Sequence, residues 1–241
     1  MQTNRPIVLS VAGFDPCGGA GILADIKTFE QLKTQGMAVV TADTIQTEDQ
    51  FTAIDWHGID TVQKSVQSLM NRYSISVVKI GVVRDFEFLR GIIDTIRSVH
   101  KKTFVIWDPV LKSSSGFEFF NPSSLKLLPE LMDHINMLTP NYEEYQVLKP
   151  YVTEKDTILI KGGHRKEQLG LDVLKTDKRE ITFLPTHTET YSKHGSGCVL
   201  SSAIAAHIAL GKDLKEACRM GKLYVEQFLN SNPTLLGYHH D

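Results

Sequence analysis

Residues 7–32, IVLSVAGFDPCGGAGILADIKTFEQL, combine an apolar run, a glycine-rich turn and an amphipathic segment. The nearly continuous apolar run at residues 7–12 is typical of a strand buried on both faces of a parallel sheet. After the turn, four apolar residues recur at helical spacing: Ile22, Ile26, Phe29 and Leu32. Gly36 predicts the end of this helix, and residues 38–42 predict a second strand. The chain is therefore expected to open with a βαβ unit.

The same alternation of helix and strand continues along the chain. Helical spacing of apolar residues predicts further helices over residues 62–70, 86–96, 142–148, 197–211 and 214–228. Short apolar runs predict strands over residues 77–83, 104–107, 137–139 and 157–160. Residues 171–174 and 181–184 predict an antiparallel hairpin. This order predicts an α/β fold with a mostly parallel central sheet and helices on both faces, and residues 1–241 are expected to form a single domain.

Composition and charge restrict the class of partner. Hydrophobic residues make up 41% of the chain and charged residues 22%, which is typical of a soluble globular protein. The net charge of −2 gives no sign of a nucleic-acid or membrane partner. The 3 cysteines include no C-x-x-C pair, and the first residues lack the layout of a signal peptide, so a reducing cytoplasm is expected. A small-molecule enzyme or binding protein fits these features.

Ligands of open α/β sheets bind outside the carboxyl ends of the strands. Polar and glycine residues concentrate at these positions in the sequence, at residues 15–21, 43–46, 108–109, 141–144 and 161–164. The sequence therefore predicts a binding cleft at this edge of the sheet.

The glycine-rich turn at residues 18–21 joins the first predicted strand to the first helix. Glycines let backbone N–H groups approach a ligand closely, and a helix N-terminus favours an anion. The turn matches neither the G-x-G-x-x-G pattern nor the P-loop, so a purely structural strand-to-helix turn is the alternative interpretation. Asp25 is predicted in the first turn of the helix, as a carboxylate that compensates the helix dipole.

A second small-residue loop, HGSGC at residues 194–198, leads into an alanine-rich helix. The backbone N–H groups of Gly195, Ser196 and Gly197 could form an anion hole for a transferred phosphoryl group. Cys198 is predicted at the helix N-terminus, where thiol pKa values fall below ~8.5 and a thiol can accept a proton. The alternative is a glycine-rich helix start with a small, half-buried cysteine.

Two carboxylates and a lysine follow successive strands. Asp108 and Glu144 are the oxygen ligands that Mg²⁺ prefers beside nucleotide phosphates, and Lys161 could neutralise a phosphate. The alternatives are a turn residue before Pro109 and a first-turn helix carboxylate. The 9 histidines show no H-E-x-x-H motif and no paired ligand spacing, so no zinc site is predicted.

Residues 11–29 resemble the opening of the hydroxymethylpyrimidine/phosphomethylpyrimidine kinases, whose typical form is A-G-x-D-P-[ST]-G-G-A-G-I-x-A-D-[LI]-K-T. The resemblance recurs in order at residues 79–81, 108–110, 139–144, 161–164, 172–174 and 194–198. The matches are collinear from about residue 7 to about residue 228. Together they are specific, whereas each alone would be weak.

The resemblance implies a ribokinase-like fold, a homodimer, and ATP with Mg²⁺ as the phosphoryl donor. It further implies phosphorylation of the hydroxymethyl group of hydroxymethylpyrimidine, and then of the phosphate of its monophosphate, in thiamine biosynthesis. On the acceptor side, it implies that Asp25 and Gln46 hold the pyrimidine and that Gly13 packs against it.

The donor side follows from the same resemblance. Asp108 and Glu144 would serve the metal and the phosphates, and Lys161 would lie on the nucleotide side. Residues 195–197 would form the anion hole, and Cys198 would take the place that other ribokinase-like enzymes give to a catalytic aspartate. Residues 112–120, rich in serine, are predicted to form a mobile lid.

Several positions depart from the family pattern. Phe14 and Cys17 replace smaller polar residues, and residues 45–48 read IQTE where the family has A-Q-N-T. These departures keep two other functions open: a pyridoxal or pyridoxine kinase, and a non-catalytic pyrimidine- or vitamin-binding protein. A dinucleotide-dependent dehydrogenase is disfavoured because its glycine pattern and acidic ribose partner are missing.

Overall fold

The computed structural model describes residues 5–112, 122–163, 170–187 and 190–240. The strands are β1 (Ile7–Phe14), β2 (Gln35–Gln46), β3 (Phe51–Trp56), β4 (Ile75–Ile80), β5 (Phe104–Trp107), β6 (Met137–Leu138), β7 (Ile158–Ile160), β8 (Asp172–Lys175) and β9 (Glu180–Phe183). The helices are α1 (Gly21–Gln31), α2 (Ile59–Arg72), α3 (Phe86–Val99), α4 (Leu128–Met132), α5 (Tyr142–Leu148), α6 (Ser196–Ala209) and α7 (Leu214–Leu229).

All of these strands join one sheet in the order β3-β2-β1-β4-β5-β6-β7-β8-β9. The strands from β2 to β7 in this order pair in parallel, and β3, β8 and β9 pair antiparallel at the two edges. The predicted mostly parallel sheet and the predicted hairpin, β8–β9, are confirmed. Since parallel strands share one direction, the carboxyl ends of β1, β4, β5, β6 and β7 meet at a common edge.

Alternate residues of the central strands pack on opposite faces of the sheet. Leu9 and Val11 of β1 belong to a core with the apolar faces of α2 and α3. Val8, between two such positions, belongs to a second core with α1, α6 and α7. The prediction of helices on both faces is therefore confirmed.

The first helix ends earlier than the sequence predicts. Helix α1 ends at Gln31, and the chain then turns through Lys33, whose φ of 61° is left-handed. Gly36, predicted as the helix stop, lies inside β2. A Cβ at this glycine would stand 2.8 Å from Ile26 Cδ1, so it allows the strand to pack closely on α1.

Strand β3 and helix α4 were not predicted. The burial of residues 51–56 alternates incompletely along β3, as expected for an edge strand. Strand β2 also continues through residues 43–46, which the sequence placed after the strand.

The predicted lid at residues 112–120 lies outside the described residues except for Lys112. Within the described ranges, no helix is both long and apolar enough to cross a membrane.

Candidate active site

A cleft of about 630 Å³ opens at the carboxyl ends of the central strands. Its lining includes residues from the first glycine turn, from three strand ends and from the second glycine loop: Gly13, Asp15, Gly21, Gln46, Asp108, Glu144, Lys161, Gly195, Ser196, Gly197 and Cys198. Gly13 and Gln46, predicted to contact an acceptor ring, thus lie on the same cleft as the predicted anion hole.

The two glycine loops meet in direct contact at this cleft. Gly195 has a φ of 73°, and a Cβ on it would lie 1.9 Å from the carbonyl oxygen of Gly19. Only glycine fits there, because any side chain would collide with backbone. The Gly21 N–H also donates a hydrogen bond to the Cys198 thiol.

Helix α6 begins at Ser196 with Gly195 at the N-cap, and no side chain caps it. The first amides of a helix have no intrahelical carbonyl to bind and carry the positive end of the helix dipole. A Cβ on Gly197 would stand 3.1 Å from Lys161 Nζ, so the lysine ammonium faces this first turn. This arrangement can bind a phosphoryl group between backbone amides and a fixed cation.

Asp108 holds this lysine in place. Its carboxylate is 1% exposed and accepts hydrogen bonds from Lys161 Nζ at 2.6 Å, Ser201 Oγ at 2.9 Å and Thr139 Oγ1 at 3.2 Å. Burial lowers the pKa of Lys161, but the carboxylates of Asp108 and Glu144 outweigh it and raise the pKa overall. Lys161 therefore carries its charge at neutral pH.

Glu144 lies beside this pair at the start of α5. It forms a capping box with Asn141, whose backbone N–H donates to Glu144 Oε2 at 2.8 Å. The Leu111 N–H donates to Oε1 at 3.3 Å. Burial raises the pKa of Glu144 to about 7; the Lys161 ammonium opposes this effect without reversing it, and the Asp108 carboxylate makes a smaller contribution in the direction of burial.

The residues present fit a divalent cation. Glu144 and Asp108 are buried oxygen donors, the charge of Asp108 contributes to the raised pKa of Glu144, and Mg²⁺ prefers such ligands. A bound cation would favour the ionised form of the Glu144 carboxylate.

The prediction of a lowered pKa for Cys198 is wrong. The thiol stands at the N-terminus of α6, but burial dominates and raises its pKa, and the carboxylates of Asp25 and Asp108 act in the same direction. The Lys79 ammonium and the Gly21 N–H oppose this effect without reversing it. Cys198 is therefore mainly a protonated thiol at neutral pH.

Asp25 does not lie where the sequence places it. It is in the second turn of α1. Its carboxylate is fully buried where α1 and α6 pack on the sheet. It accepts hydrogen bonds from Ser10 at 2.5 Å, Ser202 at 2.7 Å and Lys79 at 2.9 Å. Asp25 is 0% exposed and is not among the residues that line the cleft, and its implied contact with the pyrimidine stays a prediction.

Lys79 was part of a sequence match but received no predicted role. It is 0% exposed on β4 and forms an ion pair with Asp25. Burial lowers its pKa, but Asp25 and other acidic groups raise it overall, so the ammonium stays charged. The sequence signal that could have revealed this pair is a single lysine in the otherwise apolar strand ISVVKI. A charge in such a strand needs a buried partner of opposite charge.

A second buried charged cluster, also missed, contributes to the lining of the cleft. Lys222 Nζ of α7 is 3.1 Å from Asp172 and 3.4 Å from Glu226, and Glu226 accepts the Thr186 N–H at 3.1 Å. These residues join α7 to β8 and to the loop after β9. The two carboxylates come from positions far apart in sequence, so local patterns could not associate them.

Comparison with known proteins agrees with this geometry. The family described as phosphomethylpyrimidine kinase matches residues 15–241. The hydroxymethylpyrimidine/phosphomethylpyrimidine kinase of Aquifex aeolicus is 31% identical over 95% of this chain and 96% of its own. That of Rhizobium meliloti is 32% identical over 93% and 91%.

Solved structures share the fold. The phosphomethylpyrimidine kinase from Clostridium difficile 630 superposes with a TM-score of 0.75 at 27% identity, over 92% of this chain and 98% of that one. The ADP complex of Staphylococcus aureus pyridoxal kinase gives 0.82 at 22% identity, over 95% and 89%, and supports the ribokinase-like fold alone. With a family match across most of its length and relatives above 30% identity, this chain belongs to the phosphomethylpyrimidine kinase family.

Proposed function

We propose that this chain transfers the γ-phosphoryl group of ATP to the hydroxymethyl group of hydroxymethylpyrimidine and to the phosphate of its monophosphate. The observation that carries the proposal is the Lys161 ammonium facing the uncapped amides of α6 across a single cleft. Phosphoryl transfer is catalysed mainly by positioning and by charges fixed around the transferred group. The names of the relatives supply the acceptor class.

The acceptor ring is assigned to the end of the cleft between Gly13 and Gln46. A Cβ on Gly13 would stand 2.8 Å from Val82 Cγ1, so the glycine lets Val82 pack closely beside it in the lining of the cleft. The nucleotide is assigned to the opposite end, where Val225 and Leu229 of α7 provide apolar surface. The amides of residues 195–197 belong to the lining of the same cleft.

Asp108 and Glu144 are proposed to hold Mg²⁺, which neutralises charge on the phosphates when bound. Asp108 has a second role, because its hydrogen bond to Lys161 aims the ammonium at the amide loop. The continuous sheet supports the proposal that residues 1–241 form one domain. A homodimer and a cytoplasmic location stay predictions.

The proposal is tested by ATP consumption with four acceptors: hydroxymethylpyrimidine, its monophosphate, pyridoxal and pyridoxine. We expect the highest kcat/KM with the first two. Faster turnover of pyridoxal or pyridoxine would instead identify a vitamin B6 kinase. If no ring acceptor stimulates ATP consumption while the rings still bind, the chain is a binding protein without phosphotransferase activity.

Cys198→Ala is expected to reduce phosphorylation of the hydroxymethyl group by about 10²–10⁴-fold, the usual contribution of a general base. A primary alcohol needs a proton acceptor, whereas a phosphate with a second pKa near ~6 is already ionised at neutral pH. The loss with the monophosphate should therefore be much smaller. Because the pKa of the Cys198 thiol is raised, its thiolate fraction grows with pH, and alcohol phosphorylation by the wild type should rise above neutrality.

The measurement is kcat/KM against pH for both acceptors in the wild type and in Cys198→Ala. Cys218→Ala is the matched control, because this thiol is buried in α7 away from the cleft. Equal losses with both acceptors in Cys198→Ala, or a flat wild-type profile with the alcohol, would contradict the role of Cys198 as a base.

A further inference from the structure

We propose that Asp15, Cys17 and His194 form a binding site for one thiophilic divalent cation, such as Zn²⁺, at the edge of the cleft. The three side chains offer a carboxylate, a sulfur and an imidazole nitrogen, which are the donor types that zinc takes. The three residues belong to the turn after β1 and to the loop before α6. This site is separate from Asp108 and Glu144, and it does not depend on the proposed kinase function.

The distances suit a single ion. Asp15 Oδ2 lies 3.0 Å from His194 Nε2 and 3.3 Å from Cys17 Sγ. One ligand atom from each residue lies within 4.8 Å of the other two. Ligands placed about 2.0–2.3 Å from a tetrahedral zinc are about 3.3–3.8 Å apart, so small side-chain movements complete the site. The fourth position remains for water.

Two of the three ligands are already fixed by the fold. The Asp15 carboxylate is 1% exposed and is oriented by the backbone N–H groups of Cys17, at 3.0 Å, and Ala20, at 2.7 Å. The His194 side chain is 9% exposed and packs against Gly19, where a Cβ would stand 2.6 Å from His194 Cδ2. Cys17 is only half-buried, so an ion can reach the site from its side.

Charge and protonation are consistent with cation binding. Burial raises the pKa of Asp15, but hydrogen bonds from His194 and Cys17 outweigh it and lower the pKa overall, so the carboxylate is ionised. It accepts the Nε2 proton of His194, and Nδ1 is buried without a hydrogen-bond partner in the described part of the chain. Burial, with Asp15 and Glu48, raises the pKa of the Cys17 thiol to about 11.

On binding, the ion would take the place of the two protons that the Cys17 thiol and His194 Nε2 now share with the Asp15 carboxylate. The Cys17 thiol loses its proton to solvent and binds as thiolate, and the His194 proton moves from Nε2 to Nδ1, so one proton is released per ion. The thiolate and the Asp15 carboxylate then balance the charge of the dication. The sequence predicts no zinc site because His194 lies 179 positions from Asp15, whereas the ligands of H-E-x-x-H are neighbours along one helix.

The test is titration of the nucleotide-free protein with Co²⁺, and then with Zn²⁺ as competitor. We expect one Co²⁺ per chain, a near-ultraviolet thiolate-to-cobalt charge-transfer band, and its loss when Zn²⁺ is added. Cys17→Ser preserves a hydrogen-bond donor but removes the soft ligand. It should abolish the band and weaken binding at least about 100-fold, the upper end of effects seen even for outer-shell changes. His194→Gln should weaken binding similarly.

Two matched variants identify the thiol. Cys218→Ala should retain the band, as should Cys198→Ser. Loss of the band in Cys198→Ser but not in Cys17→Ser would assign the ion to the cleft and overturn the proposal. Unchanged affinity in Cys17→Ser, or no band with the wild type, would overturn it as well. Thermal unfolding of each variant checks that the fold is retained. Because no ATP or acceptor is present, failure here leaves the kinase proposal intact.

Discussion

Replacement of Lys161 by methionine is expected to lower kcat by about 10²–10³-fold with either acceptor, the range found when one donor to developing charge is removed. The ammonium faces the first turn of α6 and is held by Asp108 at 2.6 Å. Both phosphoryl transfers develop charge on the same phosphoryl oxygens, so both should slow together. This distinguishes Lys161 from Cys198, whose loss should affect mainly the alcohol.

Steady-state kinetics with hydroxymethylpyrimidine and its monophosphate measure this effect. Lys175→Met is the matched control, because Lys175 of β8 pairs with Glu180 of β9, is 40% exposed and does not line the cleft. If Lys161→Met leaves kcat unchanged and raises the KM for ATP, then Lys161 stabilises the bound nucleotide and the transition state equally and does not speed the transfer itself. Urea unfolding of both variants separates loss of activity from loss of fold.

Lys79→Met is expected to destabilise the protein by about 3–5 kcal/mol, the usual cost of leaving one partner of a buried ion pair unpaired. The Asp25 carboxylate is 0% exposed, and Ser10 and Ser202 would be its only remaining side-chain donors within the described residues. The double variant Lys79→Met with Asp25→Asn removes both charges, and the amide oxygen can accept from one serine while the amide nitrogen donates to the other. It should recover most of the lost free energy of unfolding.

Urea denaturation of the wild type, the single variant and the double variant gives this comparison. Arg219→Met breaks the exposed pair with Glu216, where the side chains are 49% and 37% exposed, and should leave the free energy of unfolding almost unchanged. If the double variant is no more stable than Lys79→Met, the unpaired charge is not the cause of the loss. A loss below about 1 kcal/mol in Lys79→Met would show that Asp25 does not require this ammonium.

The architecture was predictable because its signals are local. Apolar runs of strand length alternate with segments of helical period, and this order restricts the sheet to a mostly parallel form. The cleft followed from the rule on strand ends, and Asp108 and Lys161 lie there as predicted. The predicted helix end at Gly36 was wrong. Glycine often follows the last residue of a helix, whereas here it lies in β2 and lets the strand pack against Ile26.

The electrostatics of the site were not predictable in the same way. A helix N-terminus is visible in the sequence and favours a lowered thiol pKa. For Cys198 this effect is outweighed by burial and by carboxylates that come from α1 and from the end of β5. The inward orientation of Asp25 likewise depends on Lys79, which is 54 positions away. Burial and charge interactions of this kind arise only when segments distant in the sequence pack together.

The contact between the two glycine loops also bears on how the protein is made. His194 and Asp15 bond across 179 positions, and Gly195 rests on the backbone of Gly19. A ribosome-bound chain that has emerged only as far as β9 has one wall of the cleft and lacks the other. The proposed phosphoryl site therefore cannot form until α6 has been synthesised and has packed against the first glycine turn.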